Sequence, residues 1–319
     1  RDRVQADPPE AVILQAADMA RIVSGVVGFG GGSSLDVAKL AALLAASGQP
    51  LAEVFGIGNA EGPRLPLVLV PTTAGTGSEV TPISIVTTGV SEKMGVVSPM
   101  ILPDVAVLDP ELTLGLPAHV TAASGIDAMV HAIEAYASTN PNNNPVSRAL
   151  AVEALRLMGR VLQRAVDTPG DIEARSDMLL GSMLAGQAFA NSPVAAVHAL
   201  AYPIGGHYKV PHGLSNALVL PHVLRFNAEV VPQAYANLLP HVFPEASAKG
   251  VDDAAMKFIE GMAALSRTCG LQQNLRDMGV KKAALPMLAR DAMNQTRLLV
   301  NNPRPVDEAA ALKIYEAAW

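Results

Sequence analysis

IVSGVVGFGGGSSLDVAKLAALLAA, Ile22 to Ala46, reads as a strand, a glycine turn and a helix in immediate succession. Apolar residues carry the strand from Ile22 to Phe29, and Gly30, Gly31 and Gly32 turn the chain. The helix follows from Ser33 or Ser34, with Ser34 as the N-cap, and Val37, Leu40, Ala41 and Leu44 keep the i, i+3, i+4, i+7 spacing of one helical face. A helix that starts directly after a glycine turn offers backbone N–H groups and the positive end of its dipole, an anion site suited to a phosphate or pyrophosphate. The run matches neither GxGxxG nor GxxxxGKS/T, and an ordinary tight βα turn has the same appearance.

Upstream, Glu10 to Met19 has helical character, so the first strand comes only after a helix. An α/β domain ordinarily opens on its own strand, which predicts further strands ahead of RDRVQADPPEAV; that opening lacks the apolar core of a signal peptide. Downstream, a second buried strand, Leu65 to Val70, runs into a hydroxyl-rich loop, Pro71 to Thr81, and then into an alternating strand through Ile83 to Val86. Such a loop suits a cofactor's ribose, phosphate or amide, or is simply a solvated connection. Both loops follow buried strands, and ligands of open α/β sheets gather at that end. Short strands at Met94 to Val97 and Val105 to Leu108 complete the sheet-forming part, and Lys93 is either a phosphate or ribose partner or a solvated loop residue.

Beyond Pro117 strand signals disappear and helical periodicity persists to the end. The expected organisation is an α/β domain over 1–114 and an all-helical domain over 115–319. A chain of 319 residues, 50% hydrophobic and 16% charged, holds more core than a single domain usually builds. With a net charge of −6 and no Lys/Arg cluster it has no nucleic-acid surface, and no apolar run is long and charge-free enough to span a membrane. The single cysteine, Cys269, rules out an internal disulfide framework and points to a reducing compartment.

Within the helical part, GIDAMVHAIEAY places Asp127 and His131 four apart, on one helical face. In NSPVAAVHALAYPIGGHYKVPHGLSNALVLPHV, Asn191 to Val223, His198 lies in an apolar run and His212 follows a Gly-Gly and Pro-marked turn. Each alone is more often a surface pair or a satisfied core histidine than a ligand; together, one carboxylate and three imidazoles make a divalent-metal site. His207 lies between two of these candidates, as a pocket residue, a substitute ligand or a turn histidine, while His119, His222 and His241 read as structural. A nitrogen and oxygen donor set without thiolate suits iron(II) or zinc(II), with manganese, cobalt or nickel as alternatives.

GGGSSLDVAK (Gly30 to Lys39), PTTAGTGSEVT (Pro71 to Thr81), LPDVAVLDPELT (Leu102 to Thr113), GIDAMVHAIEAY and VHALAYPIGGHYKVPHG together resemble the iron-containing (group III) alcohol dehydrogenases. The likeness runs to the terminal NPRPVDEAAALKIYEAAW. It implies a Rossmann-like dinucleotide-binding α/β domain lacking its first strands here, then an all-helical, dehydroquinate synthase-like metal-binding domain, with the active site in the cleft. The implied metal ligands are Asp127, His131, His198 and His212. Gly31, Gly32 and Ser33 fall at the pyrophosphate, Thr72, Thr73 and Thr76 at the nucleotide, and Lys93 near the ribose. The residue that separates NAD from NADP falls ahead of Arg1, so either nucleotide is open.

Many members have a histidine where this chain has Tyr202, near the nicotinamide and in the proton path. Tyrosine there matches the branch that includes hydroxyacid-oxoacid transhydrogenase. The resemblance thus implies a metal-dependent NAD(P)-linked alcohol dehydrogenase or aldehyde reductase, or a transhydrogenase of the same fold. It also implies a cytoplasmic protein that acts on a small alcohol or aldehyde and forms a homodimer or higher oligomer. A cyclase of the dehydroquinate synthase kind needs several basic residues, and the segments around His198 and His212 supply only Lys209.

Overall fold

The computed structural model describes residues 4–89 and 92–319; residues 1–3, 90 and 91 of the expected first domain lie outside the described set. Two compact units follow one another, Arg1–Thr113 and Leu114–Trp319. The first unit contains α1 (Glu10–Ala20), β1 (Val26–Gly30), α2 (Gly32–Ser47), α3 (Leu51–Val54), β2 (Gly56–Ile57), β3 (Leu67–Pro71), β4 (Ile83–Thr88), β5 (Glu92–Val97) and β6 (Val105–Ala106). β1, β3 and β6 form a parallel sheet in that order, with Gly28 opposite Leu69 and Gly30 opposite Pro71. β2, β5 and β4 form a second small sheet, in which β4 and β5 are antiparallel. Strand pattern alone carries no information about how strands are shared between sheets.

The expected first strand is corrected at its start. Ile22 is 90% exposed and the chain turns there, because Val23 N–H closes onto Ala20 O at the end of α1; pairing begins only at Val26. α2 differs from expectation at its start too. It begins at Gly32 with extended Gly31 as N-cap and no side-chain cap, so Ser34 sits inside the first turn. The expected face of α2, Val37, Leu40, Ala41 and Leu44, is buried, and so is every other residue from Val37 to Leu44.

Lys39 is also buried on α2, at 0% exposure. Its ammonium donates to Ile83 O at 2.8 Å and Thr81 Oγ1 at 3.3 Å, and lies 3.7 Å from Asp36 Oδ1. Asp36 in turn accepts from Ser78 Oγ at 2.6 Å and from the Ile85 backbone N–H at 2.9 Å. A buried ion pair survives only when its remaining lone pairs and protons are met. Here the network ties α2 to the far end of the hydroxyl-rich loop and to β4.

The second unit contains α4 (Ala118–Ala137), α5 (Pro145–Asp167), α6 (Ile172–Asn191), α7 (Ala196–Tyr208), α8 (His212–Ala228), α9 (Pro232–Val242), α10 (Val251–Thr268), α11 (Leu285–Ala292), α12 (Thr296–Leu299) and α13 (Glu308–Ala318). α4 is buried along most of its length, from Gly125 to Ala135 without a break, and packs against α5, α6 and α8. α7 continues through Pro203 and through Gly205 and Gly206, which the sequence marks as a turn; the reversal comes instead at Lys209, with φ 56°. His207 is therefore a last-turn helical residue, and its Nε2 meets Asp291 Oδ2 at 2.6 Å.

Candidate active site

In the first unit the two loops after β1 and β3 meet. Thr72 N–H donates to Gly30 O at 2.9 Å, and a Cβ built on Gly31 would touch the Thr73 side chain at 3.4 Å. A Cβ on Gly32 would lie 2.7 Å from Thr76 Cγ2 and 2.8 Å from its Oγ1, so only glycine admits Thr76 over the start of α2. Gly31, Gly32, Thr73 and Thr76 thus form one small cradle at the uncapped N-terminus of a long helix, where N–H groups lack intrahelical partners. Its shape and donors fit the phosphates of a dinucleotide.

Ser33 and Lys93 are brought together through a residue that the sequence reading missed. Asp7 donates its backbone N–H to Ser33 Oγ at 3.2 Å and pairs its carboxylate with Lys93 Nζ at 2.7 Å. Thr87 Oγ1 and N–H hold the backbone oxygens of Asp7 and Pro8.

In the second unit α4 presents Asp127, His131 and Glu134 on one face, at i, i+4 and i+7. α7 contributes His198, and α8 opens on His212. The ligand atoms of Asp127, His131 and His198 lie within 4.8 Å of one another, and all three residues are buried. His131 stacks between Phe189 and His198, with centroids 4.5 and 4.8 Å away. His212 stands just outside that trio, at the more open side: its Nε2 is 3.7 Å from Asp127 Oδ1. A glycine places it there, since a Cβ on Gly213 would run into Ala123 O and come within 3.2 Å of Asp127 Cβ.

Two further buried residues complete the cluster. Glu134 accepts from His198 Nδ1 through Oε2 and from the Val197 backbone N–H through Oε1, each at 2.6 Å. It therefore caps α7, which has no cap of its own, and directs the His198 Nε2 lone pair towards Asp127, 3.8 Å away. Burial pushes the Glu134 carboxyl up to about 7, against the pull of backbone N–H groups from Ala195 and Val197. His198 is held neutral: burial lowers its pKa first, then the neighbouring His131 and His212. Asp127 feels burial most, which would raise it, yet His212, His131, His198 and Asn216 together hold it below its ordinary value.

Asn216, one turn after His212, fills the centre. Its Nδ2 lies 2.5 Å from Asp127 Oδ1, 3.2 Å from His198 Nε2 and 3.3 Å from His212 Nε2, while its own Oδ1 is buried without a partner. The Asn216 amide, the Asp127 carboxylate and the ring nitrogens of His198 and His212 thus converge on one small focus, with the Asn216 oxygen left unpartnered beside it. A divalent ion would fit that focus, since one carboxylate with imidazoles is the donor chemistry of zinc or iron(II).

Tyr202, one turn beyond His198, sits with its ring 5.8 Å from that of His212. Burial raises its pKa while a hydrogen bond to Arg297 of α12 opposes, so near neutrality it is an O–H donor. No pattern near Tyr202 in the sequence announces Arg297.

Comparison with known proteins agrees with this architecture of an α/β unit followed by a helical one. The "Iron-containing alcohol dehydrogenase" model matches residues 1–110, and the "Fe-containing alcohol dehydrogenase family, C-terminal" model matches residues 121–319. The chain belongs to the iron-containing alcohol dehydrogenase family, oxidoreductases acting on CH–OH groups. Long-chain-alcohol dehydrogenase 1 of Geobacillus thermodenitrificans is 43% identical over 92% of this chain and 74% of its own length. A crystal structure of 1,3-propanediol oxidoreductase superimposes with a TM-score of 0.95 at 37% identity, over 99% of this chain and 83% of that one. Sulfoacetaldehyde reductase from Bifidobacterium kashiwanohense, solved in complex with NAD+, gives 0.86 at 30% identity, over 98% and 81%. Among the described residues no helix is long and apolar enough to cross a membrane.

Proposed function

We propose that this protein interconverts a small primary alcohol and its aldehyde, using a nicotinamide dinucleotide and a divalent metal, iron(II) or zinc(II). The observation that carries the metal is the buried trio of Asp127, His131 and His198 with half-buried His212 at its edge, 3.7 Å from Asp127. Those four residues would hold the ion, which when bound supplies a Lewis acid for the substrate oxygen, while the dinucleotide supplies the redox couple.

The chain's own residues do the rest. Gly31, Gly32 and Ser33 offer N–H groups to the pyrophosphate, Thr72, Thr73 and Thr76 border the nucleotide, and Lys93, positioned by Asp7, serves the ribose. The NAD+ complex of the sulfoacetaldehyde reductase supports NAD(H) as the nucleotide, with NADP(H) as the alternative to test. Glu134 keeps the His198 proton on Nδ1. Tyr202 or the cofactor ribose passes the proton to the substrate oxygen on reduction and is reprotonated from solvent before the next turnover; oxidation runs the same path in reverse. Phe189 and the apolar face of α4 keep water from the buried side of the cluster. The same reading makes the protein a cytoplasmic homo-oligomer.

Anaerobic oxidation of NADH and of NADPH, with iron(II)- or zinc(II)-loaded protein and a panel of short aldehydes and 2-oxoacids, tests the proposal. Consumption of free nucleotide that H198A abolishes is the expected result. Turnover between a hydroxyacid and an oxoacid without net consumption would instead establish the transhydrogenase, the reading that Tyr202 favours.

A further inference from the structure

We infer that Asn216 is a positioning residue of the metal site: its amide pins one oxygen of Asp127 towards the imidazoles, and so sets the preference of the site for zinc(II) or iron(II) over manganese(II). The inference rests on the metal reading proposed above and deepens it. Asn216 stands one turn after His212 on α8 and is 0% exposed. Its Nδ2 donates to Asp127 Oδ1 at 2.5 Å. That oxygen faces the histidines, 3.8 Å from His198 Nε2 and 3.7 Å from His212 Nε2. The carboxylate is thereby held with one oxygen at the focus and its plane fixed, which favours coordination through that single atom. The same Nδ2 lies 3.2 Å from His198 Nε2 and 3.3 Å from His212 Nε2, so any ion among these groups has the amide directly beside it.

Packing alone does not ask for an amide at this position. Asn216 sits in a buried run, with Leu214, Ala217, Leu218, Val219 and Leu220 on the same stretch of α8. Its Oδ1 is buried without a partner, and a buried polar atom left unmet costs about 1–3 kcal/mol. A leucine of similar volume fills the same space without that cost, so the asparagine is retained for its N–H on Asp127. Groups outside the ligand set hold the neighbouring imidazoles too. Glu134 Oε2 accepts from His198 Nδ1, and His131 is stacked against Phe189. For Asp127 that restraint is the Asn216 amide. Zinc(II) and iron(II) suit imidazoles with one carboxylate oxygen, whereas manganese(II) gains from further oxygen donors. A neutral donor that holds Asp127 to one oxygen keeps the oxygen count low; a second carboxylate in its place would raise it.

The test measures zinc(II) and manganese(II) affinities by chelator competition on metal-free wild type, N216L and N216D at one pH. Circular dichroism verifies folding, and the visible bands of the cobalt(II)-loaded proteins record the coordination. N216L removes the donor at similar volume and frees Asp127 to present both oxygens. Its zinc affinity should fall by about 10- to 100-fold, its zinc-to-manganese ratio by about tenfold or more, and its cobalt bands should change. N216D keeps the shape and adds a carboxylate, so manganese should gain on zinc by about tenfold. If N216L does not fold, N216D decides. A zinc-to-manganese ratio within about threefold of the wild type, with unaltered cobalt bands, overturns the inference, even where the variant has lost Tm, because a packing role alone moves only the Tm. If the wild type takes up neither metal, the metal reading of the site fails and this inference with it; uptake by the wild type with indifferent variants refutes this inference alone.

Discussion

Replacing Glu134 with glutamine probes the least conspicuous part of the site. In the native arrangement Oε2 accepts from His198 Nδ1 and Oε1 from Val197 N–H, both at 2.6 Å, with the His198 and Glu134 side chains 3% and 4% exposed. A glutamine has one acceptor oxygen and one NH2 group, so whichever donor faces the NH2 loses its partner. An unsatisfied buried donor costs about 1–3 kcal/mol. For a unit of this size that corresponds to a fall of about 5 °C in the Tm of the metal-free protein. Metal affinity should fall by about 10- to 100-fold, because the tautomer and ring direction of His198 are no longer enforced. Competition for zinc against a chromophoric chelator, with wild type and E134Q at the same pH, measures this directly. Affinities within about twofold would refute the role given to Glu134, whatever happens to the Tm.

Other consequences follow from single contacts. G213A drives a methyl group into Ala123 O, and overpacking of that kind costs about 1–3 kcal/mol; melting should detect it, together with weaker metal binding as His212 is displaced. K39M leaves half-buried Asp36 and buried Glu79 without their cation and should destabilise the first unit by about 3 kcal/mol in urea denaturation, with a near-native result counting against the network. His222 has its pKa lowered from 6.5 to about 4, by burial first and then by Arg225. Between those values the unfolded chain takes up the proton and the folded one does not, so stability present above pH 6.5 is lost as pH falls towards 4. The loss is about 3 kcal/mol, and H222N should flatten that part of the pH–stability curve.

What the sequence disclosed, and what it hid, follows the range of each interaction. Asp127 and His131 are legible because the helical repeat places them on one face in an apolar run. Glu134 continues the same face one turn further, and Asn216 stands one turn from His212, so the repeat that found their neighbours could have found both. A glutamate and an asparagine in a helix ordinarily belong to its solvated side, which hides both. Lys39 is hidden for the same reason: only the tertiary partners Asp36, Thr81 and Ile83 make its burial tolerable. Arg297 and Asp7 meet Tyr202 and Lys93 across long stretches of chain, where no local period operates. Ser34 lost the cap position because the glycine turn ends sooner than its serines suggest, and α7 ran on through Pro203 because packing outweighs an unmade hydrogen bond.

The central claim is that a metal at Asp127, His131, His198 and His212 carries the chemistry. Its most direct test is to titrate metal-free protein with iron(II) under anaerobic conditions, reading bound metal per chain and aldehyde-dependent NADH oxidation on the same samples. Activity should rise in proportion to bound metal and level off at about one ion per chain, with H198A binding little and turning over less. Metal-free protein as active as the loaded form, or H198A with full occupancy and full activity, would contradict the account.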